Sequence, residues 1–337
     1  MLVMEQNDLV LSSRVRLARN IEGLPFPNSM TSAQVEELVQ RVDAAINPNH
    51  TFLLLRMEDL PQRERRLLVE RHLISPQLAK CGQGAALVDK DETVSILVGE
   101  EDHLRIQCLL PGLQLEQADS LSQLVDAMLG KKLLYAFDSE LGYLTACPTN
   151  LGSGMRASVM LHLPALSLTG QTEALLSAIS KLGYAVRGIY GEGSAAPGHI
   201  YQISNQMTLG TLEEDILSNL AATVARVMER ERSVRESLLR TNRLEIEDLV
   251  FRSMGVLHYA RKLNTQEAME HLSNLKLGAG LGLLPETAQP LFNRLLTDVQ
   301  SASLEQRAGE ELTKTQRDEA RAKVVRETLK KELHYND

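Results

Sequence analysis

A change of rhythm near Thr211 constrains this chain more than any other feature of its sequence. Before that point, short apolar runs at 51–57, 85–89, 93–99, 105–110, 155–163, 184–191 and 199–204 read as strands, with helical spacing between them. Beyond it, apolar residues recur three and four apart to the C-terminus, and no run reads as a strand. Grouped strands with intervening helices, followed by helices alone, predict two different architectures in one chain. The expected fold is α+β, a mostly antiparallel sheet flanked by helices, with a C-terminal all-α domain. The boundary is expected within 235–243, giving domains at 10–235 and 244–337.

Local signals support this division. Thr31 and Gln34 form a capping-box pattern ahead of a helix at 31–46. Pro61 opens a helix over 61–73, and further helices are expected at 115–133, 169–183 and 211–240. Gly183 stands where a helix ends. With 337 residues and 43% apolar content, the chain can bury one large core or two ordinary ones.

Composition narrows the function classes. No run is long and apolar enough to span a membrane, and the first residues, MLVMEQNDLV, do not read as a secretion signal. Cys81, Cys108 and Cys147 are odd in number and widely spaced, which fits a reducing cytoplasm and gives no metal-type pairing. A net charge of −8 argues against a general nucleic-acid surface. Yet the cations are lopsided, 25 Arg against 11 Lys, and arginine is the side chain that grips phosphate and carboxylate bidentately.

Four segments of the first domain carry unusual chemistry. In LSSRVRLAR (11–19), Arg14 and Arg16 alternate on a strand and share one face. VGEEDHLR (98–105) places Glu101 and Arg105 in a charged turn between strands. CPTNLGSGMRASV (147–159) has a glycine turn between Cys147 and Arg156, but without the lysine of a phosphate loop. RGIYGEGSAAPG (187–198) offers Arg187, then Glu192 in a loop able to close over a ligand. Each segment alone also reads as ordinary surface or core. Together they supply five arginines, two glutamates and a thiol, a sensible set for clamping a triphosphate beside an acceptor.

In this order, SSRVRLAR, EEDHLR, CPTNLGSGMRASV and RGIYGEG resemble the phosphagen (ATP:guanido) kinase catalytic domain over about residues 10–235. The resemblance implies ATP-binding positions at Ser12, Ser13, Arg14, Val15, Arg16, His72, Arg105, Arg156, Ala157, Ser158, Val159 and Met160. It implies the same for Arg187, Gly188, Ile189, Tyr190, Gly191 and Glu192. Glu101 and Glu192 would orient the acceptor guanidinium and take its proton, and Cys147 would align it. Such a group has a pKa above about 12 and is a poor nucleophile while protonated. Mg²⁺ would ride on nucleotide oxygens and waters rather than in a protein metal site.

The glycine-rich stretch 188–210 and the helical C-terminal domain resemble the bacterial protein-arginine kinases within this family. The small-molecule members carry a helical domain ahead of the SSRVR-type strand, which here begins near residue 10. TQRDEARA resembles that branch's allosteric phosphoarginine pocket, at Arg317, Asp318, Glu319, Ala320, Arg321 and Ala322. On a helix, Arg317 and Arg321 would share a face, with Asp318 beside Arg321. The implied activity is phosphorylation of protein arginines in bacterial stress response and protein quality control. Implied partners are proteins with exposed arginines, a Clp-type chaperone-protease, a stress repressor, a zinc-binding activator and a second copy of the chain. The alternatives are a free-arginine kinase and a non-catalytic phosphoarginine-binding adaptor.

Overall fold

The computed structural model describes residues 8–188, 196–285 and 288–333. In the first part of the chain the strands are β1 (Val10–Arg19), β2 (Phe52–Arg56), β3 (Ala85–Asp89), β4 (Val94–Val98) and β5 (Leu104–Pro111). A small hairpin of β6 (Phe137–Asp138) and β7 (Gly142–Tyr143) precedes β8 (Met155–His162), β9 (Tyr184–Gly188) and β10 (Ile200–Asn205). Among the described residues, eight strands form one sheet in the order β2-β3-β4-β5-β1-β8-β10-β9, with every pair antiparallel. The centre of the sheet is therefore β1, lying between β5 and β8.

The helices of this part are α1 (Ser32–Ile46), α2 (Gln62–Glu70), α3 (Pro76–Cys81), α4 (Leu115–Gly130), α5 (Pro164–Leu168), α6 (Thr172–Lys181) and α7 (Glu213–Thr241). Thr31 caps α1 through the expected capping box with Gln34. Strand alternation sends Val15 and Leu17 of β1, and Ala157 and Val159 of β8, into a core shared with α1, α4 and α7. The opposite face of the sheet is treated differently along its width. At one end α2 and α3 pack on Ala86, Val88 and Leu97. At the other, Ile200, Leu11 and Met160 pack against the C-terminal helices.

Those helices are α8 (Arg243–Tyr259), α9 (Thr265–Gly280), α10 (Ala288–Asp298), α11 (Ser301–Ala308) and α12 (Lys314–Glu332). They enclose their own core around Leu272, Leu275, Phe292, Leu295 and Val325. Asn242 interrupts the helical backbone between α7 and α8. The helical part also grips the sheet part through polar contacts. Glu70, at the end of α2, accepts from the main-chain N–H groups of Ala302 (2.7 Å) and Ser303 (2.9 Å), capping α11. Arg66 pairs with Glu305 at 2.9 Å, and the His162 ring meets Ser273 Oγ at 2.7 Å.

Several boundaries differ from the sequence reading. The helix expected over 61–73 stops at Glu70, because His72 adopts a left-handed backbone with φ +61°. The expected helix at 169–183 is α6 alone, preceded by the unforeseen α5 and separated from it by a turn at Gly170. Helix α3, opened by the Ser75 cap and Pro76, was also not anticipated. The expected strand 184–191 is described as far as Gly188.

Candidate functional site

The uncovered middle of the second sheet face carries the arginines. Arg14 and Arg16 project from β1, and Arg156 of β8 is the direct cross-strand neighbour of Arg16. Arg105 of β5 lies opposite Ala18, two residues further along. Arg105 meets two carboxylates, but Arg14, Arg16 and Arg156 meet none among the described residues. There Arg14 reaches the amide oxygen of Gln202 at 3.4 Å, and Arg156 reaches Ser204 Oγ at 3.0 Å. The Nε atoms of Arg16 and Arg156 are shielded from solvent without a partner among the described residues.

The electrostatic consequence is mutual repulsion. Desolvation, then Arg105 and Arg156, push the Arg14 guanidinium down to about 10. Arg16 is held well below the usual arginine range by desolvation and then by Arg14, Arg105 and Arg156, opposed only by Glu100. Arg156 is lowered by burial and by Arg187 and Arg105. Cations packed in this way, with unsatisfied buried donors, are suited to an anionic ligand.

Next to the clamp is a hollow of about 230 Å³, lined by Arg16, Glu101, Arg105, Cys147, Asn150 and Arg156 among others. Arg105 is fixed there by Glu100 at 2.5 Å and Glu101 at 3.4 Å. Glu100 is buried and also accepts from Ser75 Oγ, whereas Glu101 keeps a partly exposed carboxylate facing the hollow. The Cys147 thiol is 3.0 Å from Thr149 Oγ1, and Thr145 Oγ1 donates to the Cys147 carbonyl at 2.8 Å. Asp102, buried, accepts from Asn20 Nδ2 and from the Ala146 N–H, both at 2.7 Å, and so pins the segment leading into Cys147.

The glycine turn of residues 152–154 serves close packing of backbone. Gly154 has φ +66°, and a Cβ there would meet the Ala18 carbonyl at 2.6 Å; a Cβ on Gly152 would strike Leu209 and Thr208. The glycines let the Cys147 loop lie directly on β1, which brings Cys147 and Arg156 to one hollow.

Other predicted positions divide. The side chains of Ser13, Val15, Ala157 and Val159 face the core on the other side of the sheet from Arg14, Arg16 and Arg156. Ser12, Ser158 and Met160 stay on the clamp face, as cross-strand register with Arg14 and Arg16 requires. His72 lines a second cavity with Ser12 and Met160, and burial, then Arg14, push its imidazole down to about 4. Arg187 stands exposed on β9 opposite Gln202, with Gly188 ending that strand. Ile189, Tyr190, Gly191 and Glu192 lie outside the described residues.

On α12, Arg317 and Arg321 differ sharply. Arg321 is 1% exposed and donates to the Val299 and Leu263 carbonyls and to Asp318, at 2.7–2.8 Å. Its neighbour Ala322 belongs to the helical core. Arg321 is thus held inside the helical part by main-chain carbonyls and Asp318. Arg317 is half-buried and pairs with Glu305 at 3.0 Å, the same carboxylate that holds Arg66. Glu319 and Ala320 border an adjoining surface hollow with Arg261, Lys262 and Arg326.

Sequence reasoning missed Glu100, Asp102 as the anchor of the Cys147 loop, Thr149 and Gln202. Thr149, two residues from Cys147 in the same turn, was findable; the others depend on cross-strand partners far away in the chain.

Comparison with known proteins agrees with this geometry. The sequence profile of the ATP:guanido phosphotransferase C-terminal catalytic domain matches residues 34–234, and that of the "Protein-arginine kinase McsB C-terminal domain" matches residues 243–336. The protein-arginine kinase of Moorella thermoacetica is 50% identical over 96% of this chain and 95% of its own. That of Brevibacillus brevis is 48% identical, over 96% and 92%, and that of Bacillus subtilis 44%, over 98% and 92%. Among solved structures, a lombricine kinase superposes with a TM-score of 0.59 at 25% identity, covering 68% of each chain. A duplicated taurocyamine kinase from Schistosoma mansoni, at 23% identity, shares the fold with a TM-score of 0.62 over 86% of this chain and 40% of its own. The chain belongs to the ATP:guanido phosphotransferase family and, across its length, to the protein-arginine kinases within it.

Proposed function

We propose that the chain transfers the γ-phosphoryl group of ATP to arginine side chains of proteins. The observation that carries this reading is an arginine cluster in which Arg14, Arg16 and Arg156 meet no carboxylate among the described residues, beside a hollow that combines a carboxylate with a thiol. In the reaction, a guanidinium nitrogen of the acceptor forms a P–N bond as the bond to ADP breaks. Glu101, with Glu192 from the segment that follows β9 in the sequence, holds the guanidinium and accepts its proton, while Cys147 aligns it. Arg14, Arg16, Arg105, Arg156 and Arg187 hold the phosphates and offset charge during transfer. Mg²⁺, which the family uses with ATP, supplies further neutralisation on the phosphate oxygens when bound.

This reading divides the chain into a catalytic part, 10–235, and a helical part, 244–337. The helical part carries an effector pocket for phosphoarginine centred on Arg317 and Asp318 and supports self-association. Membership of the protein-arginine kinases favours protein acceptors over free arginine. Action in the cytoplasm during stress, with a Clp-type chaperone-protease, a stress repressor and a zinc-binding activator, belongs to the same proposal. Among the described residues no helix is long and apolar enough to cross a membrane.

The test uses Mg-ATP with either free arginine or an unfolded protein and follows acid-labile phosphate. Transfer to the protein alone is expected. Transfer to free arginine alone would replace this reading with a phosphagen-type kinase, and transfer to neither would leave a phosphoarginine-binding adaptor.

A further inference from the structure

Large apolar side chains stand exposed around the loop that carries Cys147. Phe137 and Leu141 of the β6–β7 hairpin, and Met207, Leu209 and Leu212 of the segment between β10 and α7, are 43–71% exposed. Single exposed apolar residues are ordinary, but several at one place mark a contact surface. Backbone contacts bring the two segments to the same loop. Tyr143 and Gly152 exchange main-chain hydrogen bonds of 2.8 and 3.4 Å, so the hairpin lies against the loop. The Phe137 ring packs edge-to-face on Tyr143, with centroids 5.3 Å apart. Thr208 Oγ1 donates to the Thr149 and Leu151 carbonyls at 3.0 and 2.6 Å, and a Cβ on Gly152 would strike Leu209. Thr149 is itself part of the wall of the acceptor hollow. The hairpin and residues 206–212 therefore form two apolar lips beside the place where a guanidinium would enter.

The lips also carry one sign of charge. Residues 133–155 and 206–225 contain Asp138, Glu140, Glu213, Glu214 and Asp215 but no Lys or Arg, in a chain with 36 basic residues. Glu140, Glu214 and Asp215 are exposed. Such a surface repels a nucleotide or an anionic lipid and attracts a cationic segment. A free guanidino acid fills the hollow and leaves both lips uncovered, whereas a polypeptide whose arginine enters the hollow continues out across them. Folded proteins bury most of their large apolar side chains, so an arginine with apolar neighbours on offer belongs to an unfolded stretch.

Building on the proposed function, we infer that the β6–β7 hairpin and residues 206–212 form a docking surface for the acceptor segment, an unfolded stretch with aliphatic or aromatic residues beside the target arginine and no acidic ones. Apolar flanks bind the lips, and the acidic rim selects against negatively charged flanks. Selection for unfolded protein is then built into the catalytic part itself.

The test measures phosphorylation by the full-length chain, with Mg-ATP, of three peptides carrying one arginine flanked by leucines, by serines or by aspartates. Leucine flanks should raise kcat/KM about tenfold over serine flanks, the order expected for burying one large apolar side chain, and aspartate flanks should lower it. In the double variant Phe137→Ser, Met207→Ser, the leucine advantage should shrink to about twofold or less. Met207→Ser alone, which changes one exposed side chain outside any helix or strand, should shrink it in the same direction and keeps the test independent of the hairpin's fold. No leucine advantage in the unaltered chain, an advantage that survives both variants, or equal loss for all three peptides would overturn the inference. So would a change of oligomeric state in the variants on gel filtration, which would assign this face to a second copy of the chain. Aspartate flanks as good as serine flanks would overturn the role of the acidic rim. Failure of the unaltered chain to phosphorylate any of the peptides would sink the proposed function, and this inference with it.

Discussion

Arg19 and Arg16 stand three residues apart on β1, yet their surroundings are opposite. Arg19 is 1% exposed, chelates Asp126 through Nε and Nη2, donates to the Ala18 and Ser153 carbonyls, and stacks 3.5 Å from the centre of the Tyr143 ring. Every contact offsets its removal from water. Arg16 instead faces Arg14, Arg105 and Arg156, and its Nε has no partner among the described residues. The comparison separates two uses of one side chain. A buried arginine whose partners come from its own chain is architecture; a cluster that lacks them is waiting for a ligand.

The comparison can be broken at either end. Arg19→Ala should cost about 3–5 kcal/mol in chemical denaturation, because it leaves Asp126 buried without its cation. Arg16→Ala should lower the transfer rate about 10²- to 10³-fold, equivalent to about 2.7–4 kcal/mol of transition-state stabilisation. It should leave the melting temperature of the ligand-free chain unchanged or higher, since one repelling charge is gone. A matching drop in stability would mean that Arg16 is architectural after all.

A pH series gives a smaller, signed effect. The folded chain holds His72 neutral down to about pH 4, whereas the unfolded imidazole titrates near 6.5. Between these values the unfolded state binds the extra proton, so stability falls as pH drops through this window and is retained above it. His103, His162 and His199 are lowered in the same direction. His72→Gln should therefore reduce, without removing, the loss of stability between denaturation curves at pH 7 and pH 4.5. An unchanged loss would show that the imidazole is not sequestered.

Local signals were legible in the sequence where one element suffices to express them. The alternation of Arg14 and Arg16, the Thr31 cap and the switch from strands to helices all depend on near neighbours. The same alternation, applied one residue at a time, excludes the side chains of Val15 and Ala157 from the nucleotide face, which a contiguous motif obscures. Features that depend on distant partners were not legible. Nothing near Arg321 announces that Val299 and Leu263 will enclose it. That Gly154 is not part of a phosphate loop was legible, but its actual constraint, the Ala18 carbonyl 136 residues earlier in the chain, was not.

The clamp has a thermodynamic consequence. Its arginines come from β1, β5 and β8, so a bound polyanion ties together strands distant in sequence and discharges the repulsion among them. On the proposed function, nucleotide would add about 2.7 kcal/mol to the folded state's stability at a hundredfold excess over its dissociation constant. On the same proposal, depletion of nucleotide would raise the fraction of chain that is open, and resistance to proteolysis would track the supply of its own substrate.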